Sequence, residues 1–569
     1  MPLLRAWLAL QVSYHGGKYS IERALALDEY TRNTSLSRVL LVCIGSPLPM
    51  AAFILLQEAV LPLQSPADGW LANYGFWIRL TIMASAVAHT YLVQGMFLVD
   101  DITLSPRQVL LFVVSLTLLY VALSMLVAAY FAFPIPFFYI TMTPAYYAPL
   151  FAALYAIAGP SSKLTRYISF IATQKFMGMV YPVYQLLFHA ASNTRYISPV
   201  ILLLPVLKLV MKNIVLRCTK HMEDMTPEAV IFTVDFYNAL YLATCMESVS
   251  SFNTMSVLAV TDFSQTLSVL FGMHRRTASI RQRLRQTTGA AKGDSLLSAV
   301  CSLCRNSDQF EAQNRAGVRV RSCLPHRLSA GDRNRLNTLE KIPIVDDMET
   351  PRLHSIAHSF VALKETPSRI RTRPSKPFSG LCARCRSFSV HPTMVSKLEL
   401  EPSTHVEGER ATESTRALSS HPMPQPNILR EALAILYTSE CLVLTAYLET
   451  FIPLFYGNYI LTMVQLPNAK YHTELVGVTR TNADYTAHVV FLFGILQLVS
   501  FGLLARLIWR NCGMRALYHL AFVLETQKAL VQGRFVVWML VTLACRVEHF
   551  GTLVHTGSYS MEVRNVEVI

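Results

Sequence analysis

The sequence predicts an all-α, polytopic transmembrane protein of about nine to eleven spans in two lobes, and three observations carry that reading. First, 52% of the 569 residues are hydrophobic and only 15% are charged, where soluble domains run nearer a quarter charged. Second, the apolar residues come in blocks close to the ~20 residues that cross a ~30 Å hydrocarbon core. Third, the formal charge of +14 sits in one place. Between Met273 and Arg430 there are 26 Lys/Arg and 14 Asp/Glu, a net of +12, leaving +2 on the remaining 411 residues. One hydrophilic insert therefore accounts for the basic pI. A basic stretch beside a bilayer is the usual cytoplasmic excess of Lys and Arg, and no nucleic-acid partner is implied.

The N-terminal run MPLLRAWLALQVSYHGGK is too short for a span and has no small-residue cleavage site, so the first span is expected to act as the membrane signal. The first lobe, residues 1–272, offers about eight spans: Val39–Val60, Phe76–Val99, Val109–Phe131, Phe137–Ala158, Phe176–Ala190, Ile197–Leu216, Ala229–Met246 and Val249–Gly272. Phe176–Ala190 is short and holds Pro182. The polar ESVSSFNT between the last two spans reads either as a tight turn or as a polar patch. Aromatics crowd the fourth span, FFYITMTPAYYAPLF, which fits interface anchoring, with a ligand cage as the alternative.

Residues 273–428 form the insert, rich in Ser, Thr, Arg and Pro and lacking a sustained period. So little apolar surface cannot offset the entropy of ordering the chain, so disorder is expected over most of it. Local order is expected at most at Thr277–Gln286 and Leu398–Leu400. The second lobe, residues 429–569, offers about three spans: Ala432–Val464, Val489–Trp509 and Phe535–Cys545 with its flanks. Ala432–Val464 is too long for an upright crossing, at roughly 50 Å. It is either kinked at Pro453 and Gly457 or begins along the interface. Leu517–Val531 reads as an interfacial helix with Glu525 and Lys528 as an i,i+3 pair.

With a cytoplasmic N-terminus, the outer loops Leu61–Gly75 and Ala132–Pro136 contain no Lys or Arg. The inner connections carry Arg107; Lys163 and Arg166; Lys208, Lys212, Arg217 and Lys220; the insert; and Arg506, Arg510 and Arg515. The positive-inside rule is met, with Arg195 and Lys470 as exceptions. The sequon Asn33-Thr34-Ser35 falls on the cytoplasmic side, where it would go unglycosylated.

Four acids lie in or beside apolar spans: Asp235, Glu247, Glu440 and Glu449. A charge at the bilayer centre costs about 2.5–3.5 kcal/mol, so such groups face a partner, a wet cavity or the bundle interior. Glu440 and Glu449 are nine residues apart, about 180° around a helix, so they do not act as a pair. Glu440 is expected at the interface and Glu449 in the interior, either as a protonatable relay or as a structural polar contact. LYLATCMES (Leu240–Ser248) echoes LVLTAYLET (Leu442–Thr450), placing Glu247 opposite Glu449. Internal repeats occur in transporters, although nine apolar residues also match by chance.

Two CxxC units, Cys301/Cys304 and Cys382/Cys385, are weak metal candidates. Zinc needs four ligands in tetrahedral array, and these pairs are far apart in sequence; lipidated or plain reduced thiols are the alternatives. The basic run HRRTASIRQRLRQ (His274–Gln286) reads as a topology anchor. Contact with anionic inner-leaflet lipid, relieved by phosphorylation at Thr277 or Ser279, is the second reading.

LPNAKYHTELVGVT, RNCGMRALYHLAFVLETQ and YLETFIPLFYGNY, with KYSIERALALDEYTRNTSLSRVLLVCIGSPLP and VDFYNALYLATCMESVSS, resemble a family of uncharacterised multi-pass membrane proteins of oomycetes such as Phytophthora. The likeness covers both lobes and not the insert. It implies a membrane location and brings no activity, ligand or catalytic residue. No GxGxxG after a strand, P-loop, HExxH, GxSxG or triad is present, so neither catalysis nor a cofactor is expected. Two functions remain: an interaction or scaffold protein presenting its insert to partners, and a secondary transporter or channel using an intramembrane carboxylate.

Overall fold

The computed structural model describes residues 19–191, 194, 196–219, 225–248, 295–311, 313, 317–341 and 427–551, with isolated positions between 260 and 286. Every regular element among them is helical. Local sequence signals set many boundaries. Ser20 caps α1 (Ile21–Asn33) and Ser35 caps α2 (Leu36–Gly45), each hydroxyl accepting from a backbone N–H three residues on. A break at Ser46-Pro47 starts α3 (Leu48–Val60). Then come α4 (Tyr74–Leu98) and α5 (Pro106–Tyr130), the latter opened by Pro106 and a Ser105/Gln108 capping box. The turn Phe138–Thr141 leads into α6 (Thr143–Ala158), which ends at Gly159 with φ +66°.

Next are α7 (Ser162–Ala191) and α8 (Ile197–Thr219). The following helix, α9, runs Thr226–Val230, passes through a π-helical turn at Ile231–Asp235, and continues as Phe236–Ser248. From the insert come α10 (Leu296–Arg305) and α11 (Ala330–Lys341). The C-terminal part supplies α12 (Ile428–Met463), α13 (Ala483–Cys512), α14 (Ala516–Thr526) and α15 (Lys528–Ala544).

Among the described residues, seven segments are long and apolar enough to cross a membrane: Leu36–Val60, Tyr74–Leu98, Pro106–Tyr130, Phe138–Ala158, Thr226–Met246, Ile428–Met463 and Ala483–Cys512. Their outward faces are apolar: Leu41 is 73% exposed, Leu111 68% and Leu492 65%. In water such a surface would be an aggregation site; against lipid it is the solvent-matched face. At the centre lies α9, whose span Thr226–Met246 is wholly buried. The protein has a multi-pass, membrane-type helical architecture.

The two sequence lobes do not remain separate bodies. Residues 1–344 and 425–569 belong to one compact unit, because α12 packs on α9 and α13, α14 on α2, and α15 on α4 and α3. Contacts between connecting segments mark two ends of the bundle. At one end lie α1, α10, α11 and α14; there Tyr30 donates to Glu525 at 2.8 Å and Cys301 lies against the Ala24 carbonyl. At the opposite end, the Phe137 N–H donates to the Gly551 carbonyl at 3.2 Å. His549 is 2.8 Å from the Gln64 carbonyl, and Leu63 donates to Asn468. Gly551 has φ +60°, and a Cβ there would fall 2.3 Å from the Ile135 carbonyl, so glycine is required.

Several expectations are corrected. Part of the insert expected to be disordered is folded: α10 and α11 are helices, and α10 packs on α1. The signal overlooked was the amphipathic spacing of Leu296, Leu297, Val300, Leu303 and Cys304, buried along one side of α10. Residues 342–426, including Leu398–Leu400, lie outside the described residues. Phe176–Ala190 is the second half of the 30-residue α7, with Pro182 inside it. Ala432–Val464 belongs to one continuous helix of 36 residues, about 54 Å long. Leu517–Val531 is not one interfacial helix: it breaks at Gln527, and α14 is buried on nearly every side. Glu525 pairs with Tyr30 and Arg38 instead of Lys528. Two of the fourth-span aromatics point inward, while Phe137 is exposed. Phe138 and Tyr146 are buried, and the Tyr146 hydroxyl donates to the Ala84 carbonyl at 2.8 Å.

Candidate functional site

Midway along the bundle, three helices bring four charges together. On α8, Lys208 and Lys212 are four residues apart and share a face. Asp235 closes the π-helical turn of α9, where the altered pitch re-aims side chains. Glu449 comes from the middle of α12. Lys212 Nζ lies 2.8 Å from Asp235 Oδ1, and Lys208 Nζ lies 2.7 Å from Glu449 Oε1 and 3.5 Å from Asp235 Oδ1. One turn before Glu449, the Thr445 hydroxyl donates to Asp235 Oδ2 at 2.9 Å. All four charged side chains are at least nine-tenths buried.

Two cations and two anions sum to zero, which is the condition under which charges can lie in a low-dielectric interior. Removing one member leaves an unpaired buried charge, at a cost of about 3–5 kcal/mol. Lys208 bridges two carboxylates, so the pairing within the quartet has an alternative partner built in.

Glu440 faces the other way from α12, as its spacing from Glu449 requires. Its carboxylate receives Arg23 Nη2 at 2.8 Å, Arg23 Nε at 3.3 Å and the Tyr19 hydroxyl at 3.1 Å. Arg23 and Glu440 are both buried. Glu440 is therefore enclosed by protein and ion-paired to α1. The first turn of α9 repeats the device, with Glu228 paired to Arg534 of α15. For Glu247, the side chain lies outside the described residues.

At the opposite end, Arg79 Nη1 binds both oxygens of Glu58 at 2.8 and 2.7 Å. Buried His472 lies 3.5 Å from Glu58 and 3.8 Å from Glu474, and Arg546 lies 3.3 Å from Glu474. Burial alone would lower the pKa of His472, but the two carboxylates outweigh it and raise it to about 9. Burial instead depresses His549 to about 4. At the α1 end, Arg305 lies 3.0 Å from Asp28 and 2.9 Å from Asp332. Hydrogen bonding from that guanidinium holds the Asp332 carboxyl below its usual range.

The remaining candidates do not assemble a site. Thr277 is fully buried beside Cys512, which removes it as an accessible phosphorylation site; Ser279 lies outside the described residues. Cys301 and Cys304 are buried in α10, and burial pushes the Cys304 thiol up to about 12. Such thiols are poor ligands and nucleophiles. Cys382 and Cys385 lie outside the described residues, and no group of three or more metal-ligating side chains occurs among the described ones.

Sequence reasoning found the acids and missed their partners. Lys208 and Lys212 were assigned to a connection, yet both lie within α8 in the run ILLLPVLKLVMKNIVL; their four-residue spacing was the available signal. Arg23, Arg79, Arg534 and Arg546 gave no comparable local sign, because each pairs with a residue distant in sequence. Two small cavities, of about 20 and 10 Å³, are lined by neither Glu440, Glu449 nor Asp235. The chain matches no known family model, no curated protein and no solved structure.

Proposed function

We propose that this protein is a membrane-embedded platform whose helical bundle holds part of the insert as a folded cap and presents the rest to partners. The observation that carries this reading is the docking of α10 and α11 at the α1 end. Leu296, Val300 and Leu303 are buried, and Arg305 ties the cap to Asp28 and Asp332. A segment that served only to link two membrane lobes would have no reason to pack this way. The ion-paired state of Asp235, Glu440 and Glu449 supports a structural role for the acids. Basic residues concentrate at the cap end, including Arg32, Arg38, Arg107, Lys163, Arg506 and Arg510, which favours a cytoplasmic cap by the positive-inside rule. Membership of the oomycete membrane family rests on the motifs quoted above.

The test compares two full-length variants by proximity labelling in cells and by flux in liposomes. Deleting 342–426 is expected to collapse the set of labelled neighbours, whereas Glu449→Gln, although destabilised by its unpaired lysine, keeps that set in the folded protein recovered. An ion or proton flux that disappears with Glu449→Gln would overturn the platform reading. It would establish the second one, a transporter, which is favoured by Lys208 bridging two carboxylates beside a π-helical turn. Cysteines placed at Ser329 and Thr481 test orientation: a membrane-impermeant reagent on intact cells should modify Thr481→Cys and spare Ser329→Cys.

A further inference from the structure

A third lysine, half-buried, is treated quite differently from Lys208 and Lys212. Lys175, on α7, projects into a cavity of about 10 Å³ bordered also by Gln174, Tyr139, Tyr147, Tyr237 and Trp538. Its ammonium sits 3.3 Å from the centroid of the Tyr139 ring and 3.4 Å from the Tyr139 carbonyl oxygen. No carboxylate pairs with it among the described residues. Three further polar side chains around the cavity have no hydrogen-bond partner there: the Trp538 indole N–H, the Tyr237 hydroxyl and the Gln174 amide. Each of these three residues is more than nine-tenths buried.

An indole N–H and an ammonium only donate, a phenol can donate, and the amide presents its NH2 when turned inward. The surroundings thus offer mostly donors, with the Gln174 side-chain oxygen as the one unpartnered carbonyl acceptor named there, and a positive charge that no described carboxylate answers. A cation held among helices without a counter-ion is costly, and a space this size holds one water-sized occupant. Gly178 borders the same cavity, and a Cβ there would press to 3.3 Å of the Tyr237 hydroxyl. The open space depends on that glycine.

We propose that this cavity is a binding site for a chloride-sized inorganic anion, with Lys175 supplying the charge and Trp538, Tyr237 and Gln174 the hydrogen bonds. A halide accepts from several directions at once and is only a few tenths of an ångström larger in radius than water, which the bordering side chains can yield; sulfate and organic carboxylates are too large. Water would satisfy the donors but not the charge, and it is the competing occupant in the test.

The experiment uses the full-length protein in lipid nanodiscs. Thermal unfolding is followed at constant ionic strength in sodium chloride, bromide, gluconate and sulfate, alongside equilibrium binding of radiolabelled chloride. Chloride and bromide are expected to raise the Tm saturably, and gluconate and sulfate are not. A general salting effect would place sulfate first, so the order separates a site from the bulk solvent. Lys175→Met is expected to abolish the chloride response, and Trp538→Phe, which keeps most of the volume but lacks the N–H, to weaken binding at least about tenfold. Should Lys175→Met fail to fold, Trp538→Phe decides alone. Equal Tm in chloride and gluconate for the wild type would show a water-filled cavity and overturn the proposal. So would a chloride affinity unchanged by Trp538→Phe.

Discussion

Lys208 and Lys212 on α8 are buried and Lys175 on α7 is half-buried, and their surroundings follow opposite rules. The first two meet Asp235 and Glu449 within 2.7–3.5 Å, and the charges cancel. The third meets aromatic rings and unpartnered donors. A cation–π contact contributes about 2 kcal/mol when desolvated, less than the several kcal/mol that a buried ion loses in leaving water. The difference teaches that burial of a charge is no single signal. Where counter-charges are supplied by the chain itself the arrangement locks helices together; where they are missing, an occupant is called for.

The largest effect should separate these two places directly. Asp235→Asn leaves two lysines facing one carboxylate and is expected to destabilise the protein by about 3–5 kcal/mol. Lys175→Met removes a charge that has no protein partner and is expected to leave stability in gluconate unchanged or higher. Thermal unfolding of both variants in nanodiscs checks the contrast, and equal losses would break it.

A second, smaller effect concerns pH at the opposite end. His472 titrates near 6.5 when unfolded and about 9 when folded, so the folded state binds the proton more tightly. The resulting stabilisation is fully present below pH 6.5, falls as pH rises from there, and is lost above 9. It is on the order of a few kcal/mol. Unfolding measured from pH 6 to 10 should show this decline, and His472→Gln should flatten it. A decline of equal size in His472→Gln would assign the pH dependence to other groups.

The cap follows. Arg305 is 26% exposed and its bridges to Asp28 and Asp332 are partly screened, so Arg305→Ala should cost about 1–2 kcal/mol. The loss should appear as faster hydrogen exchange in Leu296–Arg305 and not in α9. The smallest effect is expected at Glu525. Arg38 is 61% exposed in this pair, and Glu525→Gln should change stability by less than about 1 kcal/mol. A loss comparable to that of Asp235→Asn would mean that exposed and buried pairs do not differ here.

The fold class was legible because lipid imposes its own length and polarity on each helix: Pro106–Tyr130 and Ala483–Cys512 stand out by hydropathy alone. The opposed directions of Glu440 and Glu449 were legible from helix geometry. Their partners were not, since Arg23 lies 417 positions from Glu440 and Lys208 lies 241 from Glu449. The folding of α10 was hidden by its setting in a polar insert, where ten amphipathic residues carry little weight. The inward turn of Tyr139, Tyr146 and Tyr147 was hidden because aromatic residues suit a membrane interface and a packed interior equally well.

The claim that the compensated charges are a structural lock is tested most directly by a double-mutant cycle on Lys208 and Glu449, read by thermal unfolding in nanodiscs. Lys208→Met and Glu449→Leu alone are each expected to cost about 3–5 kcal/mol, and the double variant to recover most of that loss, because two apolar groups replace a neutral pair. If either single variant unfolds at the wild-type temperature, the charge left behind is reached by water, and the quartet belongs to a pathway through the membrane instead of a lock within it.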